Sequence, residues 1–433
     1  MIRLGYIIIS TVVLLSTYSG ASGAERFPPP DFESGYTIPS PTVPNPRQSP
    51  YEYVDCVVLL AALAASSYLV LKKRSRRAIF ILMVFSLIYF GFWRRGCVCS
   101  IGAIQNVTLS LFDSDYTVPI VVVAFFVLPL ASTLFFGRTF CAAVCPLGAV
   151  QDLVTLWPVS VPNWLERGLR LFAYVYLAAA VLFAATGSAF VICRYDPFVS
   201  FFRLSGNFNI LVLGGCFLIV GMFVGRPYCR FFCPYGVILR QLSRISKWRV
   251  TITPDQCVQC RLCEDSCPFD AIREPAADWS APEHDKAKKR LALLLILLPL
   301  LALSGGWAGS RLKKVTSRVH ATVRLAERIY LEDTGKVEGT TDASSAFRAT
   351  GKETEELYAE ASSIQDRFGL GGWLFGGFVG LMTALKLIRV SVSRQRPDYE
   401  ADRASCVACG RCFEYCPKEH ARVEKTREVI GKT

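Results

Sequence analysis

Apolar runs of bilayer-spanning length recur seven times along the chain, at roughly 54–71, 78–93, 117–136, 169–187, 208–225, 291–309 and 370–390. Some sit near the lower limit of about 17 residues. Each reads as a helix, because an open-ended segment can satisfy its backbone groups inside lipid only by bonding to itself. Lys72, Lys73, Arg74, Arg76 and Arg77 crowd the gap between the first two runs, and the positive-inside rule puts that gap in the cytoplasm. Alternation then places Cys141/Cys145, Cys229/Cys233, Cys257 to Cys267 and Cys406 to Cys416 inside, and Cys97, Cys99, Cys193 and residues 310–369 outside. Basic residues at 240–249 and 284–290 agree with this topology, whereas Arg94, Arg95 and the basic run from Arg311 to Arg328 oppose it.

Between these runs the pattern changes. Residues 1–24 have the layout of a secretory signal, with Arg3, an apolar stretch from Ile7 to Leu15 and the small residues Ser22, Gly23 and Ala24; an uncleaved anchor helix is the alternative. Residues 25–50 carry eight prolines, including Pro28, Pro29 and Pro30, and read as an extended periplasmic linker. Val315, Val319, Val323, Ala326 and Ile329 fall at helical spacing in 310–369, which predicts an amphipathic helix, followed by a polar loop, that rests on the membrane surface or meets a partner. Gly372, Gly376 and Gly380 recur at every fourth position of the last run, a face suited to close helix packing or a glycine hinge. The resulting division is 51–250, a five-helix membrane domain; 251–285, a first ferredoxin half; 286–310, a transmembrane helix; 311–368, a periplasmic helix and loop; 369–392, another transmembrane helix; and 393–433, a second ferredoxin half.

Of the 433 residues, 52% are hydrophobic and 19% charged, in keeping with a membrane chain. The net charge of +13 is concentrated at the ends of apolar runs, so it sets topology and gives no footprint for nucleic acid. There are 17 cysteines, mostly in short-spaced groups that favour metal over a disulfide framework. The 3 histidines lie outside the apolar runs, which excludes bis-histidine haem within the spans.

The strongest motif is Cys257-x-x-Cys260-x-x-Cys263-x-x-x-Cys267-Pro268, repeated at Cys406, Cys409, Cys412 and Cys416-Pro417. In two-cluster ferredoxins the fourth cysteine of each run ligates the other cluster. The expected sets are therefore Cys257, Cys260, Cys263 and Cys416 on one [4Fe–4S] cluster, and Cys406, Cys409, Cys412 and Cys267 on the other. Val258, Val407 and Ala408 would limit water at them. A second motif, Cys141-x-x-x-Cys145-Pro146 and Cys229-x-x-x-Cys233-Pro234, follows two of the apolar runs. Four readings stay open for these four thiols: a third cluster, Cu(I), a redox-active dithiol set, or plain packing. Arg138, Arg226 and Arg230 would favour thiolates or anionic lipid and substrate groups beside them. Cys97, Cys99 and Cys193 read as outer-face thiols for a disulfide, metal or electron-exit site, and Cys56 and Cys216 carry no assigned role. A Cys-x-x-Gly core also repeats, at Cys99–Gly102, Cys145–Gly148 and Cys233–Gly236, with Gln105 and Gln151 at matching positions in the first two.

Two Cys-x-x-x-Cys-Pro turns followed by two ferredoxin runs resemble the membrane polyferredoxins that accompany periplasmic nitrate reductase and nitrous-oxide reductase, and are similar to the cytochrome-oxidase copper-assembly polyferredoxin. The resemblance covers about 75–270 and 400–420. The apolar runs and the motifs together predict an all-α polytopic inner-membrane protein of about seven transmembrane helices with a cytoplasmic two-cluster ferredoxin-like α+β unit, split by two helices in a departure from those families. The resemblance implies electron relay in anaerobic respiration, between a cytoplasmic or quinol donor and a periplasmic reductase, cytochrome or maturation system; no haem is expected for want of histidines in the spans, and no flavin because residues 25–50 hold nothing like the flavin-binding periplasmic domain of the nitrous-oxide accessory proteins. A copper or metal-centre assembly factor and a redox-sensor subunit are the alternative functions.

Overall fold

The computed structural model describes residues 49–96, 99–204, 207–252, 257–275, 281–390 and 398–419. The expected leader, nearly all of the Pro-rich linker, and Cys97 lie outside the described residues. In chain order the helices are α1 (Ser49–Tyr68, running on through Lys73), α2 (Arg76–Ser86, running on through Trp93), α3 (Ser100–Phe112), α4 (Ile120–Phe136), α5 (Thr139–Ala143) and α6 (Pro146–Val154). Next come α7 (Asn163–Ala185), α8 (Val191–Tyr195), α9 (Val199–Arg203), α10 (Phe208–Phe223), α11 (Pro227–Phe231), α12 (Pro234–Leu242) and α13 (Leu262–Asp265). After strand β1 (Ile272–Arg273) follow α14 (Ala281–Arg311), α15 (Lys313–Thr316), α16 (Ala321–Asp333), α17 (Asp342–Ala349) and α18 (Thr354–Val390), then strand β2 (Glu400–Ala401) and α19 (Arg411–Tyr415).

The apolar runs become helices, but not all of equal reach. Five segments, Pro50–Lys73, Arg76–Trp93, Trp164–Ala185, Asp285–Arg311 and Thr354–Arg389, are long and apolar enough to cross a membrane. The other two expected spans form α4 and α10, of 17 and 16 residues. The sequence pattern also missed α3, which it treated as a turn: Ile101, Gly102, Ala103, Ile104 and Gln105 are all buried in the bundle. Helices α1 and α2 are separated at Arg74, which turns into the left-handed region at φ 50°, and Ser75 restarts the helix by accepting the Ala78 N–H. The main core lies where Leu59, Ile79, Met83, Phe90, Phe140 and Tyr235 meet around the short cysteine-bearing helices.

Helices α14 and α18 pack backbone to backbone along glycine. A Cβ at Gly376 would lie 2.0 Å from the Gly305 carbonyl oxygen, and one at Gly380 2.1 Å from that of Leu301. The helix is continuous through all three glycines of the repeat, so they serve close packing and form no hinge. The partnering glycines, Gly305 and Gly309, are a small-residue pair that the sequence reading passed over.

The segment 310–369 also differs from expectation. Val323, Ala326 and Ile329 of α16 bury against Leu357, Ala361, Ile364 and Phe368, so this part of the expected apolar face is consumed within the protein, while Val315, in α15, stays 63% exposed. The expected polar loop is replaced by α17 and the first turns of α18, whose 37 residues span about 55 Å, well beyond a hydrocarbon core of about 30 Å.

The two ferredoxin halves, separated by α14 to α18 in the chain, join in space. β1 and β2 pair antiparallel, Ile272 with Ala401 and Arg273 with Glu400, and the Asp402 N–H extends the ladder to the Ala271 carbonyl at 2.7 Å.

Candidate metal centre

In each ferredoxin half the chain curls through left-handed residues between its cysteines. Gln259 and Arg261 have φ 51° and 64°, and their counterparts Ala408 and Gly410 have 57° and 76°. Three of the four are not glycine, so the conformation is strained and held by its surroundings. Such curls turn successive N–H groups toward one side, forming an anion-binding concavity. Cys257, Cys260 and Cys263 line one cavity together with Cys416 from the other half, under Ile252 and Tyr399. Cys267 crosses the other way: with Cys406 it packs around Phe269, Ala271, Val407 and Cys409, and Cys412 lies within the electrostatic reach of Cys406, Cys409 and Cys267. Burial pushes the Cys406 thiol up to about 12, as expected of a site where a bound metal must supply the charge that deprotonates it. The two groups differ in shielding, since Val407 and Ala408 are buried whereas Val258 is 55% exposed and does not cover its cysteines.

The four thiols of the Cys-x-x-x-Cys-Pro turns form a third group. Cys145 and Cys233 each begin a short helix after a proline-fixed turn, and the Gly236 N–H donates to Cys233 Sγ at 3.2 Å. Gly148 leaves room for the Arg226 guanidinium, which a Cβ there would approach to 3.0 Å, whereas at Gly236 a Cβ would make only ordinary contacts, 3.4 Å from the Cys229 carbonyl oxygen. Gln151 is fully buried and ties the two turns together, accepting from the Tyr228 N–H at 3.0 Å and donating to Cys229 Sγ at 3.2 Å. Burial pushes Cys229 up to about 11 despite Arg226 beside it. Cys141 also packs among Phe269, Ala271 and Val407, beside Cys267 and Cys406, so the third thiol group adjoins the second.

Arginines lock this arrangement. Arg138, Arg226 and Arg230 are 4%, 1% and 6% exposed, so of the two expected roles the arrangement fits the one beside thiols and not the one facing lipid or substrate. Arg230 pairs with Glu166 and with Asp270 of the first ferredoxin half, both at 2.6 Å. Arg138 donates to the Ala404 carbonyl at 3.3 Å and to Cys141 Sγ at 3.6 Å, and Arg226 donates to the Cys141 carbonyl. Buried Asp152 receives Arg76 at 2.8 Å, Arg411 at 3.3 Å and Arg226 at 3.5 Å. Burial alone would raise its carboxyl, but the three guanidiniums hold it well below the usual carboxylate range. None of these pairings was legible in the sequence, where only arginines next to cysteines could be noticed.

Of the thiols read as outer-face residues, Cys99 lies deeper than expected whereas Cys193 is exposed. Cys99 lines an apolar cavity together with Cys145, so the first Cys-x-x-Gly turn sits against the second and not on a remote surface. Cys99 and Cys193 are unlinked. Among the described residues no three Cys, His, Asp or Glu side chains close on a single ion; the ferredoxin thiols stand apart around a space. Four thiolates around such a space, fed by left-handed backbone turns, fit an iron–sulfur cube.

Two comparisons agree with that chemistry. Residues 118–167 and 207–253, which hold the Cys-x-x-x-Cys-Pro turns, match one 4Fe–4S binding domain family, and residues 250–273, which hold Cys257 to Cys267, match a second. The chain thus carries 4Fe–4S binding domains of two kinds and is similar to polyferredoxin-like proteins. Its relatives include the candidate electron transport protein YccM of Escherichia coli, 26% identical over 118 residues, or 25% of this chain and 33% of YccM. An uncharacterised protein of Methanocaldococcus jannaschii is 32% identical over 96 residues, 22% of this chain and 40% of the relative. Protein NirI of Paracoccus denitrificans is 29% identical over 119 residues, 26% of this chain and 18% of NirI. The chain thus spans well under two thirds of the length of these relatives. No solved structure matches it.

Proposed function

We propose that this chain is a membrane-bound one-electron carrier with three iron–sulfur centres in series. Cys257, Cys260, Cys263 and Cys416 hold the first [4Fe–4S] cluster, Cys267, Cys406, Cys409 and Cys412 the second, and Cys141, Cys145, Cys229 and Cys233 a third centre inside the helical bundle. The clusters supply a reversible one-electron couple. The protein supplies spacing, dryness and charge: Arg138 and Arg226 offset the negative thiolates of the third group, and Val407, Ala408 and Phe269 keep water from the second. The carrying observation is the position of Cys141, which packs beside Cys267 and Cys406 around Phe269 and Val407 and makes the second and third groups neighbours.

The ferredoxin unit faces the cytoplasm in this proposal. The basic gap between α1 and α2, assigned there by its charge, docks it directly: Arg74 pairs with Glu419 at 3.0 Å and Arg76 donates to the Cys409 carbonyl at 3.0 Å. Electrons then pass between a cytoplasmic or quinol donor and a periplasmic reductase or its maturation system. NirI and YccM, as partial relatives, support a redox role of this kind.

The deciding experiment counts non-haem iron and acid-labile sulfide on anaerobically purified chain. The expected minimum is about twelve irons, falling by about four in Cys141→Ser/Cys229→Ser with the ferredoxin spectra intact. About eight irons, unchanged in that variant, would remove the third centre. Zinc alone would remove the whole proposal, and stoichiometric Cu(I) lost in the same variant would favour metal-centre assembly.

A further inference from the structure

The third thiol group has a counterpart within the bundle that the sequence does not reveal by cysteines alone. Cys193-Arg194-Tyr195-Asp196-Pro197-Phe198 follows the pattern of Cys229-Arg230-Phe231-Phe232-Cys233-Pro234-Tyr235, one residue shorter and with Asp196 where Cys233 stands. The structural roles repeat as well. Gln151 accepts from the N–H of Tyr228, next to Cys229; Gln105, at the matching place in the first Cys-x-x-Gly repeat, accepts from the N–H groups of Ile192 and Cys193 at 3.0 and 3.3 Å. Cys233 Sγ takes the N–H three residues on at the start of α12, and Asp196 Oδ1 takes those of Phe198 and Val199 at 2.9 and 3.3 Å at the start of α9. Glycine recurs in the turn as well, and here it brings the two segments together: a Cβ at Gly102 would lie 3.3 Å from Cys193 Sγ.

The equivalence leaves two groups unanswered. Asp196 is 2% exposed and Gln105 0%, yet Asp196 Oδ2 and Gln105 Nε2 have no hydrogen-bond partner among the described residues. A buried carboxylate oxygen with nothing to accept from is costly unless a cation or ligand completes it. Gln151 Nε2, the equivalent of the second orphan, donates to a thiol of the third group. Asp196 stands at the end of α8, three residues after Cys193 and therefore about one turn along the same side. Cys99 lies within the electrostatic reach of both Asp196 and Cys193.

We infer that Cys99, Cys193 and Asp196 bind a further iron–sulfur centre, with a carboxylate in place of one thiolate, as the pseudo-symmetric partner of the centre at Cys141, Cys145, Cys229 and Cys233. The inference rests on reading those four thiols as an iron–sulfur centre. Soft thiolates with one hard oxygen donor suit iron and disfavour Cu(I). An apolar cavity lined by Cys99 and Cys145 lies between the two places, which would set the two centres facing each other across a dry gap.

The test uses the full chain, purified anaerobically in detergent, with iron, acid-labile sulfide and low-temperature EPR read on four variants. Asp196→Asn keeps an Oδ1 able to cap α9 while removing the anionic ligand, so it separates binding from folding. Asp196→Asn and Cys193→Ser are expected to lose the same one subset of iron and the same EPR signal, with the ferredoxin signals kept. Asp196→Cys is expected to restore the iron with a shifted signal, as an all-thiolate ligand set requires. Iron and spectra unchanged in both Asp196→Asn and Cys193→Ser would overturn the inference, as would iron that is lost in Asp196→Asn and not regained in Asp196→Cys. Cys145→Ser/Cys229→Ser keeps the two proposals apart: iron unchanged in that variant defeats the third centre itself, whereas its loss there with no loss in the Asp196 variants defeats only the carboxylate-bound one.

Discussion

At the scale of single residues, Asp152 carries the heaviest duty of any side chain outside the cysteines. It sits in α6 directly after Gln151 and gathers Arg76 from the membrane bundle, Arg226 from the turn before Cys229 and Arg411 from the second ferredoxin half. Three buried or half-buried cations on one anion make an arrangement in which removal of the anion leaves uncompensated charge. Asp152→Asn is expected to cost about 3–5 kcal/mol and to loosen the second ferredoxin half. Limited proteolysis around 398–419 and the midpoint of detergent-solubilised unfolding would report it, and resistance equal to wild type would show that Arg411 docks by other means. Gln151 illustrates a different duty, since its amide joins its own cysteine turn to Tyr228 and Cys229, 77 and 78 residues further on. The repeat Gly-x-x-Gln could be seen in the sequence, but the glutamine's partner could not.

At the scale of elements, the α14–α18 pair follows from glycine. Gly376 has no room for a methyl group, because a Cβ would fall 2.0 Å from the Gly305 carbonyl oxygen, whereas one at Gly377 would meet the Ala302 carbonyl oxygen at an ordinary 3.5 Å. Gly376→Ala is therefore expected to force the helices apart and lower stability by about 1–3 kcal/mol, while Gly377→Ala leaves it nearly unchanged. Thermal unfolding of the two variants in one detergent distinguishes them, and equal midpoints would refute the close-packing account. The periodic face Gly372, Gly376 and Gly380 was readable in advance. Its partner, and the covering of α16 by α18, depended on how the chain folds back, which a pattern of apolar positions does not specify.

At the scale of the molecule, the α14–α18 excursion returns the second ferredoxin half to the first, and the β1–β2 pairing fixes their register. The crossed ligation that follows can be tested directly. Cys416→Ser is expected to perturb the cluster of Cys257, Cys260 and Cys263, and Cys267→Ser that of Cys406, Cys409 and Cys412, each leaving the other cluster's EPR signal in place. Uncrossed effects would show that each half closes its own cube. In the proposed relay, the more exposed first group, with Val258 and Cys260 at the surface, would be the entry for electrons from a soluble donor and the buried second group would pass them toward the bundle.

The sequence alone determined what depends on local spacing. Cys-x-x-Cys-x-x-Cys fixes three thiols on one curl of backbone, long apolar runs fix helices, and a glycine every fourth residue fixes a close-packing face, because each is encoded within a few turns of chain. The tertiary structure decided everything that needs two distant segments in one place. It set Cys416 beside Cys257, gathered the two Cys-x-x-x-Cys-Pro turns under Gln151, buried the arginines against carboxylates, and left one oxygen of Asp196, Oδ2, without a hydrogen-bond partner among the described residues. Those outcomes follow from how the helices pack, and packing is settled by the summed burial and pairing of the whole bundle, which no single stretch of sequence contains.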